Sequence, residues 1–82
     1  SFSIYPNPGH GMFFIETSGP VMPNASLQVV DLNGRLIQSV TMNGLQVFDQ
    51  PLRLDLNDAH PGIYVIEMIS HGDSWQEKII IH

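Results

Sequence analysis

The chain has 82 residues, 43% of them hydrophobic, and no cysteine, which rules out a disulfide framework and a thiolate metal site. Eight acidic residues against three basic ones give a net charge of −5, a poor endowment for neutralising phosphates or meeting an anionic membrane surface. No apolar run approaches the ~20 residues of a bilayer-spanning helix.

These quantities predict one domain over residues 1–82; the lack of an initiator methionine and of a signal-like stretch fits a domain cut from a longer protein, and a processed N-terminus would look the same. A chain of this size buries only about 60% of its unfolded surface, so its core has to be dense.

Phe2 to Tyr5 reads as a short extended segment, followed by Tyr5-Pro6-Asn7-Pro8-Gly9-His10-Gly11, where two prolines stiffen the chain and the glycines let it reverse. Met12 to Thr17, built on Phe13, Phe14 and Ile15, reads as a strand. Ser18 to Ala25 reads as a loop.

Ser26 to Asp31 and Leu36 to Met42 flank Asn33-Gly34, a hairpin signal because a type I′ turn needs φ > 0 at both central positions. A two-residue loop there pairs Val29 with Gln38 and Leu27 with Val40. It puts Leu27, Val29, Leu36 and Val40 on one face, with Gln28, Arg35 and Ser39 on the other. Asn43-Gly44 predicts a further turn into Leu45 to Asp49. Leu52-Arg53-Leu54-Asp55-Leu56 alternates three leucines with two charges, as a strand with one wet face does. Asn57 to Pro61 is a polar connection with the capping residues for one helical turn.

Gly62 to Ser70 carries six large apolar side chains spread over both faces, the pattern of a central strand. Ser74 to His82 follows as its hairpin partner, closed by Ile79, Ile80 and Ile81. A loop at Gly72-Asp73 sets Glu67 opposite Lys78, whereas a three-residue loop sets Glu67 opposite Glu77, a like-charge pair that costs about 0.2–1 kcal/mol. The first register is expected, with Tyr64, Ile66, Trp75, Ile79 and Ile81 on one face and Ile63, Val65, Ile69 and Ile80 on the other. About seven short strands and no helical periodicity predict an all-β fold, a small antiparallel β-sandwich of immunoglobulin-like or Greek-key type.

No motif for catalysis or cofactor binding is present. His10, His60, His71 and His82 are not spaced to ligate a metal together, and Asp55-Leu56-Asn57-Asp58 departs from a calcium loop at Ala59 and His60. Ser70, His71 and Asp73 are too close in sequence to form a triad. Asn24-Ala25-Ser26 matches a glycosylation sequon. Tyr5, Phe13, Phe14, Phe48, Tyr64 and Trp75 offer an alternative function, a carbohydrate-binding or adhesive module appended to a secreted enzyme, against the plainer reading that they are core.

Three separated pieces resemble one family. Tyr5-Pro6-Asn7-Pro8 with Gly11, then Val30 to Leu36, then Gly62-Ile63-Tyr64-Val65 leading to Lys78-Ile79-Ile80-Ile81 are similar, in order and spacing, to the C-terminal sorting domain of type IX secretion substrates. The resemblance implies a non-catalytic address label with an immunoglobulin-like β-sandwich fold and no cofactor. Its cargo would cross the periplasm and end at the cell surface or outside the cell. Its partners would be the type IX outer-membrane components and a sortase-like transpeptidase that removes the domain and attaches the cargo to the surface. The motif positions carried over are Pro6, Asn7, Pro8 and Gly11, then Asp31, Gly34 and Arg35, then Gly62, Tyr64, Gly72 and Lys78. The family often ends in lysine or arginine, where this chain has His82. The terminal strand, and Ile79, Ile80, Ile81 and His82 in particular, is expected to present an open edge for docking by β-augmentation, and the same edge would support a homodimer.

Overall fold

The computed structural model describes residues 2–17, 25–41, 51–70 and 72–82. Residues 18–24 of the expected loop at Ser18 to Ala25, the turn at Asn43-Gly44, the strand at Leu45 to Asp49, Asn24 of the sequon, Phe48 and His71 lie outside them.

The described residues form seven strands: β1 (Phe2–Tyr5), β2 (Met12–Thr17), β3 (Ser26–Asp31), β4 (Leu36–Thr41), β5 (Leu52–Asp55), β6 (Gly62–Ser70) and β7 (Asp73–Ile81). They form a three-stranded sheet in the order β1-β2-β5 and a four-stranded sheet in the order β4-β3-β6-β7, with every strand pair antiparallel. The expected β-sandwich is thus formed. Compared with a constant-type immunoglobulin sandwich, the fourth strand lies beside the third instead of beside the fifth.

The inward faces follow the alternation of the sequence. Phe13, Ile15 and Leu54 from one sheet meet Leu27, Val29, Ile66, Met68 and Ile79 from the other, each at most 2% exposed. Burying one such side chain contributes about 1.5–3 kcal/mol, which is how a domain without a disulfide holds together. Leu52 and Leu56 complete the leucine stripe, with Arg53 and Asp55 exposed on the other face. The connection after β5 is a hydrogen-bonded turn and not a helical one, with Ala59 N–H donating to Leu56 C=O at 3.0 Å.

Two hairpins differ from expectation in their loops. Between β6 and β7, Ser70 pairs with Asp73, two residues earlier on β7 than a Gly72-Asp73 loop allows, and Gly72 adopts φ 82°. Glu67 therefore faces Gln76, whose Nε2 donates to Glu67 Oε2 at 2.6 Å, and Lys78 faces Val65. The expected Glu67–Lys78 pairing is corrected by a shift of two in register, which keeps every side chain on its predicted face. Tyr64, Ile66, Ile79 and Ile81 are in the core, with Trp75 packed half-buried against it.

Between β3 and β4 the loop spans Leu32-Asn33-Gly34. Gly34 N–H donates to Asp31 C=O and Asp31 N–H to Arg35 C=O, both at 3.0 Å, with Gly34 at φ 80°. This is a three-residue turn closed by a left-handed glycine, not the two-residue Asn33-Gly34 loop. An irregularity between Val29 and Val30 restores the expected pairs of Val29 with Gln38 and Leu27 with Val40. The cost falls on Leu36, which pairs with outward-facing Val30 and is 53% exposed instead of lying on the core face.

Candidate functional site

The first motif is a clasp on the last strand. Asn7, between Pro6 and Pro8 with both X–Pro bonds cis, places its carboxamide against the outer edge of β7. Its Nδ2 donates to Lys78 C=O at 2.9 Å, and Ile80 N–H donates to its Oδ1 at 3.1 Å. Gly9 continues the pairing, its N–H donating to Ile80 C=O and its C=O accepting from His82 N–H, each at 2.9 Å. A side-chain amide has the donor and acceptor of a peptide unit, so Asn7 acts there as one residue of an added strand.

Glycine is required on this path for space. A Cβ on Gly9 would lie 2.8 Å from Pro6 O and 2.9 Å from the Phe13 ring. One on Gly11, at φ 122°, would lie 2.6 Å from Asn57 Oδ1. That close approach lets Leu56 N–H donate to Gly11 C=O at 2.7 Å, tying the same loop to the end of β5.

The second motif folds around Asp31. Its Oδ1 accepts from the N–H groups of Asn33 and Arg35, both at 2.9 Å, and its Oδ2 from Arg35 Nε at 3.1 Å. These bonds, led by the Arg35 backbone N–H, hold the Asp31 carboxyl below the usual aspartate range, against a smaller opposing effect of desolvation. Gly34 supplies the positive φ that lets one carboxylate reach both amides.

In the third motif Gly62 opens β6 opposite Ile81, and the Tyr64 ring is buried, with its hydroxyl donating to His60 C=O. A tyrosine near the start of the sixth strand that bonds the backbone a few residues upstream is the corner found in immunoglobulin-like sandwiches. Strand directions bring Pro6 to Gly11, Asp31 to Arg35, Gly62 to Tyr64 and Lys78 to His82 to one end of the sandwich. Gly72 stands apart, at the opposite end of the β6–β7 hairpin.

The clasp changes what the terminal strand offers. On β7 the outward backbone groups belong to alternate residues, and those from Lys78 C=O to His82 N–H are bonded to Asn7 and Gly9. Ile79 and Ile81 are buried in the core, Ile80 faces outward, and His82 is exposed with its ring 5.9 Å from that of His10.

The other constellations resolve into local structure. Asp55 Oδ1 accepts from Asn57 N–H at 2.9 Å, and His60 contributes its carbonyl to Tyr64. Among the described residues no three His, Asp or Glu side chains converge as metal ligands. Phe13 and Tyr64 are core, while Tyr5 stacks on Phe14 at 5.9 Å and donates to Glu16 Oε1 at 2.9 Å. A groove of about 290 Å³ lies between β4 and the turn after β5, lined by Ile37, Gln38, Asp55, Leu56, Asp58 and Ala59.

Sequence reading missed Gly9 as a partner in the clasp, the close approach of Asn57 to Gly11, His60 as the acceptor for Tyr64, and Leu36 as a surface residue. The spacing of His60 and Tyr64 was the one available signal, because a tyrosine two residues into a buried strand needs an acceptor just upstream.

A search of the curated proteins found no match. Residues 3–82 match the family model of the secretion system C-terminal sorting domain, and the chain therefore belongs to that family, whose members are non-catalytic signals for the type IX secretion of cargo proteins.

Proposed function

We propose that this domain is the C-terminal module of a larger exported protein and is read as a folded unit by the outer-membrane components of the type IX machinery. Cargo joined to it passes through the periplasm, crosses the outer membrane, and is freed or anchored at the cell surface when a sortase-like transpeptidase removes the domain. Pro6, Asn7, Pro8, Gly11, Asp31, Gly34, Arg35, Gly62 and Tyr64 act by building one end of the sandwich. Gly72 acts separately, by setting the register of the last hairpin. Lys78 to His82 form the element presented to the machinery. The observation that carries this reading is the clasp, which joins the first motif to the last strand through four hydrogen bonds across more than seventy residues of sequence.

The test is a periplasmic reporter fused ahead of residues 1–82 in a type IX-competent strain and in one lacking the machinery. Reporter in the medium or on the surface of the first strain alone is expected, and deletion of Ile79 to His82 is expected to retain it in the periplasm. Export without those four residues, or retention of the full fusion, would overturn the assignment.

A further inference from the structure

The clasp closes the backbone edge of β7 from Lys78 to His82, so a partner meeting this part of the strand has to meet its outward side chains. Their neighbours follow from the register. Ile80 lies opposite Ile63, and the next row runs Lys78, Val65, Val30, Leu36 across β7, β6, β3 and β4. Leu32 projects from the β3–β4 turn at the same end. Leu32 is 68% exposed, Leu36 53% and Ile63 39%, with Val30, Val65 and Ile80 half-buried beside them.

One row further on, the face turns polar, with Ser39, Gln28, Glu67 and Gln76 in line. A contiguous apolar patch thus occupies the end of the outer face where the motifs gather, with Ile69 standing singly beyond the polar row between Ser26 and Ser74. The glycine-closed turn at Leu32-Asn33-Gly34 creates part of it, since that turn sends Leu36 outward.

Charge marks the same place. The chain has three basic residues, and two of them, Arg35 and Lys78, stand at the β4 and β7 sides of this patch. Arg35 uses only Nε toward Asp31, which leaves its terminal N–H groups available on a side chain that is 77% exposed. Lys78 is exposed and has no ion-pair partner among the described residues. On a protein of net charge −5, this is where positive charge borders exposed apolar surface.

We propose that this face is a docking surface for a protein partner whose complementary surface is apolar and rimmed by carboxylates. The inference rests on the sorting reading above and supplies the surface and the partner chemistry for it. A second copy of this chain fits less well, because a two-fold pairing of the patch brings cations against cations. An anionic lipid surface fits less well because two cations fall short of the four to eight that such binding uses.

The experiment uses the reporter fusion with Leu36→Glu, Leu36→Lys, Lys78→Glu and, on the opposite sheet, Arg53→Glu. Thermal melting of each purified 82-residue chain serves as the folding control. Leu36→Glu is expected to lower exported reporter about tenfold or more, the factor attached to burying a charge at an interface centre. Leu36→Lys should cost less than Leu36→Glu, Lys78→Glu should also reduce export, and Arg53→Glu should leave it unchanged.

If wild-type fusion is exported and all variants match it, the surface is wrong while the sorting reading stands. If the wild-type fusion is not exported, the sorting reading itself fails. Equal losses for Leu36→Glu and Leu36→Lys would overturn the carboxylate rim. A dimer seen by sedimentation and broken by Leu36→Glu without loss of export would assign the patch to self-association. Binding to phosphatidylglycerol vesicles that Leu36→Glu abolishes would assign it to lipid. Either result would overturn the proposal.

Discussion

Removing the Asn7 carboxamide tests the clasp directly. Asn7→Ala deletes one donated and one accepted hydrogen bond to β7, at 2.9 and 3.1 Å, and leaves Gly9 to hold the strand alone. A neutral hydrogen bond contributes about 0.5–1.5 kcal/mol net, and both partners sit at an exposed edge where water takes the freed groups, so the expected loss is about 1–2 kcal/mol. For a domain of this length that lowers the melting temperature by about 5–15 °C. Thermal unfolding followed by circular dichroism gives the magnitude, and amide exchange gives the location, because the Ile80 N–H should lose protection while core amides such as that of Ile66 change only with global stability.

Asn7→Asp sharpens the test. It keeps the acceptor for Ile80 but turns a carboxylate oxygen toward Lys78 C=O, where only a donor fits. Protonation restores a donor, so the carboxyl of this variant is raised in the folded state. Stability is then recovered as pH falls below about 4, near the ordinary aspartate value, and is lost as pH rises through the folded one. An Asn7→Ala chain that melts with the wild type and keeps Ile80 protected would refute the reasoning.

Gly11→Ala should be more damaging than Asn7→Ala, by about 1–3 kcal/mol from the backbone conformation alone before the Cβ contact with Asn57 is added, measured by urea unfolding. Tyr64→Phe should lose about 1 kcal/mol through the hydroxyl bond to His60, without change in the denaturant m-value. Asp31, with its carboxyl held low, stabilises the fold above the ordinary aspartate pKa, and that contribution is lost as pH falls through the lower folded value. Asp31→Asn should therefore melt lower than wild type at pH 7 and show less acid destabilisation, as read from melting temperatures between pH 7 and 2.

Much of the sandwich was legible because its faces are written in period two. Leu52 to Leu56 and the inward residues of the last hairpin could be assigned without knowing any partner, and a register error of two left every face intact. What alternation does not encode is loop geometry. Asp31 could be seen as a turn residue, but its capture of two amides, which makes the loop one residue longer, depends on the conformation of Gly34. That extra residue decides whether Leu36 is core or surface. The candidate site was legible as a set of motif residues and not as an arrangement. The bonds of Asn7 run to positions 78 and 80, and no local pattern announces a side chain that takes a strand's place.

The span of that contact has a bearing on synthesis. Gly9 and Asn7 lie in the first turn of the domain, and the groups they meet lie in or just past its seventh strand, so the loop stays unanchored until that strand has left the ribosome. A polypeptide interrupted before residue 78 would carry all the earlier strands and still lack the mate for its opening turn. Machinery that tolerates only the anchored form would thereby pass over cargo whose domain lacks its seventh strand, with one carboxamide reporting that the strand is in place.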